Sequence, residues 1–285
     1  MEIELLKSLK RDDVLWRYMS LDKFVDLISG SKLFFSPLSF YAETDPYEGY
    51  PPLVALEAMY NIGNKPHEDL QATLLALESS ESASHIIRSE AYKRARASLD
   101  NRFPDFKKRI DAVFRGTLVS CWYKSDHQSE AMWKLYSDQY KGVAIRTTVG
   151  DLEDALLNAD SEARKVYIGQ VKYIDYDDSN LTPKDCTMDG HIVPMLKRIS
   201  FSHEQEVRAF FIGDADYSNF ESFLPSSRSL SVDVNKLIKT VYISPYAKAP
   251  FPQSVRAICS AFGLTCPVLD SGLLSGVEKL FSFNK

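Results

Sequence analysis

Residues 15–36 read LWRYMSLDKFVDLISGSKLFFS, and the fold turns on how they are parsed. Residues 15–18 have strand character. Ser20 then caps a helix whose apolar residues Leu21, Phe24, Val25 and Ile28 share one face, and Gly30 stops it. Residues 32–36 form the next strand, which makes a strand, helix, strand unit. One residue does not suit it: Arg17 lies in the middle of the first strand beside Tyr18. A guanidinium inside a sheet is either paired with a carboxylate or holds a ligand, because an unpaired buried charge is costly.

Downstream, PLSFYAETDPYEGYPP is too long and irregular for a simple turn, and loops of this kind carry function. Residues 53–115 read as a helical insertion. Its second part, 88–115, holds nine basic residues against four acidic ones, a local balance of +5 suited to a phosphate-rich partner or to a solvated face. Short strands return at 117–122, 142–148, 165–176 with a bulge expected at Gly169, 206–212 and 240–244. Helices are expected at 129–138, where Met132, Trp133, Leu135 and Tyr136 make an apolar stripe, and at 192–200 and 252–262. Without regular βαβ alternation, the pattern predicts one α+β domain over 1–285, built on a mixed, mainly antiparallel sheet.

The chain has 285 residues and a net charge of −5, so long-range attraction to nucleic acid or anionic lipid is not expected and any such contact is local. Cys121, Cys186, Cys259 and Cys266 show no CxxC pairing and read as reduced thiols, which points to the cytoplasm. Neither a signal peptide nor a membrane span is predicted. Dinucleotide-fold, P-loop, GxSxG and HExxH motifs are missing, and the five histidines lie at no metal-ligand spacing, so no metal is expected.

The most informative stretch of the second half is FSHEQEVRAFFIG. As a strand it places Glu206, Arg208 and Phe210 on one face and Val207, Ala209 and Phe211 on the other. Glu206 and Arg208 then share a ligand or belong to a structural ion-pair network that includes Arg17. Asp45 and Glu48 offer a second carboxylate pair; Asp45 ahead of Pro46 also suits an Asx turn. A Mg²⁺-dependent nuclease is the weakest reading, since Glu206-Val207-Arg208 has Arg where such nucleases usually place Lys. Trp133 and Tyr136, three apart on one helix, read as core or as a pocket wall.

These residues together resemble the bacterial family called domain of unknown function 2971. The resemblance rests on LWRYMS, on FFSPLSFYAETDPYEG, on SCWYKSDHQSEAMWKLYSDQYKGVAI, on K-x-x-x-F-S-H-E-Q-E-V-R from Lys197, and on VYISPYA. The chain departs from it at Phe201, where Trp is common, and at Val207, where an aromatic is. More distantly, the opening unit resembles the start of ADP-ribosyltransferase folds. That resemblance implies Arg17 on the first strand holding NAD, Ser36 on the next, and Glu206 on a late strand as the catalytic carboxylate. Glu206 would stabilise the oxocarbenium character that develops as the nicotinamide bond breaks. Tyr18, Trp133 or Tyr136 would stack on the nicotinamide, and on the functional reading of the Glu206 and Arg208 pair an arginine such as Arg208 grips an anionic substrate. The implied activity is transfer of ADP-ribose to nucleic acid or protein, in defence or toxicity. The alternative is a non-enzymatic recognition module in which Arg17, Glu206 and Arg208 are structural and the basic segment 88–115 meets the partner.

Overall fold

The structure, a computed structural model, describes residues 2–157, 165–191, 194–212 and 226–276. β1 (Glu2–Leu5) leads into the expected unit of β2 (Val14–Ser20), α1 (Leu21–Gly30) and β3 (Lys32–Pro37). α1 turns Phe24, Leu27 and Ile28 into the core, and it ends on Ser31 in the left-handed region (φ 49°), whose amide donates to the Leu27 carbonyl. The insertion is helical, as expected: α2 (Leu53–Asn61), α3 (Asn64–Glu78), α4 (Ser84–Ile87), α5 (Glu90–Asp100) and α6 (Arg102–Arg115). Arg102, at the start of α6, reaches the end of α2 by donating to the Tyr60 carbonyl at 2.9 Å and lying 4.3 Å from the centroid of the Tyr60 ring.

The second half supplies β4 (Thr117–Lys124), α7 (Glu130–Tyr136), β5 (Gly142–Thr148), α8 (Val149–Leu156), β6 (Lys165–Gln170), β7 (Lys172–Ile174), β8 (Leu196–Arg198) and β9 (Glu206–Ile212). β10 (Arg228–Ser231), α9 (Val234–Leu237), β11 (Thr240–Ile243), α10 (Phe251–Ala261) and β12 (Val268–Asp270) follow. The main sheet runs β1-β6-β9-β4-β2-β5-β11-β12 and is mainly antiparallel, with β1 parallel to β6 and β12 parallel to β11. The fold is therefore α+β with a mixed sheet.

One connection shapes the site. β4 pairs with β2 only at residues 123–124 and with β3 only at residues 118–119, so Ser120, Cys121 and Trp122 lie in a fork between two partial ladders. On its other side β4 pairs with β9 along its length up to residue 123.

Directly paired residues share a face, and neighbours in a strand alternate. Leu15, Arg17 and Met19 of β2 therefore lie on the face of Ser120, Trp122, Val207, Ala209 and Phe211, which is the main core. Trp16, Tyr18, Cys121, Glu206, Arg208 and Phe210 lie on the other. The split within β9 is the one its alternation predicts.

Three local expectations are corrected. Gly169 is no bulge: it pairs in register with Arg208, and a Cβ there would stand 2.5 Å from Leu6 Cδ1 and 2.7 Å from Met195 Cε. The strand at 165–176 instead breaks at Val171, whose amide donates to the Glu206 carbonyl while that of Lys172 donates to Met195 and starts a second ladder. No α-helix forms in the described part of 192–200; residues 192 and 193 lie outside the described residues, and β8 runs into a 3₁₀ helix at Ile199–Glu204. The stripe on α7 is divided, with Met132 and Trp133 buried and Leu135 and Tyr136 exposed.

Candidate functional site

Glu206 and Arg208 leave β9 on one face and meet at once. The Arg208 guanidinium donates from Nε to one Glu206 oxygen at 2.8 Å and from Nη2 to the other at 3.0 Å, while Nη1 donates to the Pro194 carbonyl at 2.6 Å. Glu48 arrives from the loop after β3, 2.9 Å from Arg208 Nη2. Lys197 on β8 reaches Glu48 and Glu206, each at 3.3 Å, and forms its shortest contact with Glu204. Three carboxylates thus surround two cations, and Arg208 is 1% and Glu206 5% exposed.

Burial would raise the Glu206 carboxyl, but Arg208 and Lys197 outweigh it and hold the group at about 2. Burial works against the Lys197 ammonium too, yet Glu206, Glu48 and Glu204 keep it charged. Glu204 goes the other way: burial, together with the neighbouring Glu206 charge, raises its carboxyl against the pull of Lys197 and Arg208.

From Glu206 a line of small polar groups runs to the fork. The Cys121 side chain lies on the same sheet face as Glu206 and feels its charge. The Tyr41 hydroxyl is 4.0 Å from Cys121 Sγ and 2.8 Å from Ser36 Oγ. Burial and the Glu206 charge push the Cys121 thiol far up, so it is a neutral donor rather than a nucleophile.

Arg17 is placed differently. Its Nη1 donates to Ser120 Oγ at 2.7 Å, and its guanidinium lies 5.5 Å from the centroid of the Trp122 ring. No carboxylate among the described residues pairs with it, and burial, only partly offset by Cys121 and Tyr41, pulls its pKa below the ordinary arginine range. Arg17 and Glu206 point to opposite faces of the sheet, one on either side of β4.

The other expected residues fall into three places. Tyr18 and Trp133 are buried against each other, with ring centroids 4.9 Å apart; the Tyr18 hydroxyl accepts from the Ser129 amide and Trp133 Nε1 donates to Gln128. Tyr136 is half-exposed, but its hydroxyl is raised first by burial and then by the charges of Glu204 and Glu206, so it lies beside the ion-pair network. Asp45 accepts from the Tyr47 amide at 3.0 Å, an Asx turn, and pairs with Arg198 at 2.6 Å. Lys197, Glu204, Cys121 and Tyr41 had not been singled out. Lys197 and Glu204 stand in the K-x-x-x-F-S-H-E-Q-E-V-R stretch, seven residues apart, and only the strand followed by a 3₁₀ turn brings them together.

Residues 132–209 match the family model described as Protein of unknown function (DUF2971). The matched segment contains Lys197, Glu204, Glu206 and Arg208, so the ion-pair network falls largely inside it, while Arg17, Ser36 and Glu48 fall outside. Comparison with curated proteins and with solved structures found no match. Among the described residues no helix is long and apolar enough to cross a membrane.

Proposed function

We propose that this chain recognises a phosphate-bearing nucleotide at Arg17, with NAD the first ligand to test, and that the Glu206–Arg208–Lys197–Glu48 network is the scaffold behind the site. The observation that carries the reading is the state of Arg17: a guanidinium with one side-chain hydrogen bond and no carboxylate partner among the described residues, standing at the fork where β4 leaves β2 for β3. A charge in that position is costly unless an anion completes it, and the planar fork of arginine suits phosphate. The network supports the scaffold role, because both oxygens of Glu206 are already engaged by Arg208. α5 and α6 expose Arg94, Lys107 and Arg109 without an ion pair among the described residues, which supports an acidic partner, nucleic acid or protein, meeting the chain there. A cytoplasmic setting belongs to the same reading, supported by four free cysteines.

A second, enzymatic reading is favoured by one observation: Glu206 stays ionised on the sheet face that also carries Cys121 and Ser36, the latter bonded to Tyr41 beside the fork. In this reading the bond between the ribose C1′ and nicotinamide breaks and nicotinamide leaves. An acceptor oxygen or nitrogen bonds to C1′ and gives up its proton, and Glu206 stabilises the positive charge on the ribose.

Calorimetry with NAD and with ADP tests recognition. Both should bind, and Arg17→Gln should weaken them at least about tenfold; no heat from either at millimolar ligand overturns the proposal. Nicotinamide release that is lost in Glu206→Gln, with folding unchanged, selects the enzymatic reading.

A further inference from the structure

The face opposite the main core is not covered evenly. α7 seals Tyr18 and Ala144 beneath Met132 and Trp133. The adjacent pair across the sheet, Trp16 and Arg146 in register, borders a shallow, open depression of about 400 Å³. Trp16, Arg146, Tyr242, Leu273 and residues 126–128 line it.

The groups in this depression differ in how they are satisfied. Trp16 and Tyr242 have ring centroids 5.2 Å apart at 48°, forming an angled aromatic wall. Trp16 Nε1 donates to the Ser125 carbonyl, and the Gln128 side-chain oxygen already accepts from Trp133 and Ser271. Arg146 is the exception. Its guanidinium lies 5.9 Å from the Trp16 ring centroid and has no ion pair with any described carboxylate, although Asp126 lines the same depression. An arginine held against an aromatic wall, with its donors unused and open space in front of it, is the arrangement that receives an anion joined to a flat ring.

We infer that this depression is a second ligand site, separate from Arg17, for a small anion carried on an aromatic ring. The ring lies against Trp16 and Tyr242, and the anion takes the free donors of Arg146. Nucleoside monophosphates and aromatic carboxylates share this chemistry. The volume stands at the low end of small-molecule pockets, about 300–1,000 Å³, which suits one ring and one anion rather than a dinucleotide. Trp16 and Arg17 are consecutive in β2, so the two side chains lie on opposite faces of the sheet.

The test uses the full chain carrying Arg17→Gln, so that the first site does not contribute. It is titrated by calorimetry with adenosine monophosphate, adenosine, benzoate and inorganic phosphate. Adenosine monophosphate should bind at least about tenfold more tightly than adenosine, and phosphate alone should bind more weakly than either ring-bearing anion. Binding by benzoate as well assigns the site to any ring-borne anion, whereas its silence narrows the site to nucleotides. Adding Arg146→Gln should erase the preference for adenosine monophosphate over adenosine, and Arg146→Lys should restore part of it. Equal affinity for adenosine and its monophosphate overturns the inference without any further variant. So does a preference that survives Arg146→Gln. Neither outcome touches the reading of Arg17, which rests on NAD and ADP binding to the unaltered chain.

Discussion

Replacing Glu206 by Gln keeps the volume of the side chain and removes its charge. Arg208 then loses a partner that accepts from both Nε and Nη2, at 2.8 and 3.0 Å, and the new amide must point its NH₂ group at a donor. Glu206 is held at about 2, against 4.5 for the ordinary carboxyl. At about 1.4 kcal/mol per pH unit the difference corresponds to roughly 3 kcal/mol, at the lower end of the roughly 3–5 kcal/mol typical for breaking a buried ion pair. The folded-state value is the depressed one, so this stability is fully present above pH 4.5 and is lost as the pH falls toward 2. At neutral pH Glu206→Gln should therefore melt roughly 6–12 °C below the parent, taking about 2–4 °C per kcal/mol for a chain of this size. The gap should narrow as the pH drops below about 4.5.

Glu204→Gln is the internal control. Burial raises the Glu204 carboxyl, so its ionisation opposes folding at neutral pH, and a neutral replacement should cost less than about 1 kcal/mol. Melting curves of the three proteins from pH 7 to about pH 2.5 decide the matter. If Glu206→Gln melts within about 1 °C of the parent at pH 7, Glu206 is not holding Arg208 in place and the scaffold reading fails.

Two further outcomes follow from the packing. Arg17→Met replaces an uncompensated guanidinium on the core face with an apolar chain of similar reach. It should raise the melting temperature in the absence of ligand while removing NAD and ADP binding; a fall of more than a few degrees means that Arg17 has a structural partner. Gly169→Ala should cost about 1–3 kcal/mol in urea unfolding, because the new methyl meets Leu6 and Met195 inside a packed cluster; an unchanged midpoint would show that both side chains give way freely.

What could be read in advance depended on the range of the interaction. β5 and β9 were legible to the residue, because a run such as EVRAFFI alternates cleanly, and the same alternation put Glu206 and Arg208 on one face. The insertion was legible because residues 53–115 hold few strand formers. The edge strands β1, β10 and β12 were not anticipated: each has three or four residues, too few for a period to show. Residues 192–200 misled because Ile199, Leu196 and Met195 suit a helical stripe. What decides their path is the amide of Lys172 donating to Met195, a contact between segments more than twenty positions apart.

The relation between Arg17 and Glu206 lay further out of reach, for a reason of parity. Each residue's face within its own strand follows from local alternation, but whether the two faces coincide depends on the register of β2 against β4 and of β4 against β9. A slip of one residue in either ladder would have put Arg17 and Glu206 on the same face. The observed registers, Trp16 opposite Tyr123 and Tyr123 opposite Glu206, separate them. Glu206 is then neutralised by the Arg208 of its own strand, and Arg17 is left at the fork without a counter-ion among the described residues. The same pairing that completes the buried network therefore leaves one arginine uncompensated, and that is why the anion site is sought at Arg17 rather than at the more conspicuous cluster around Glu206.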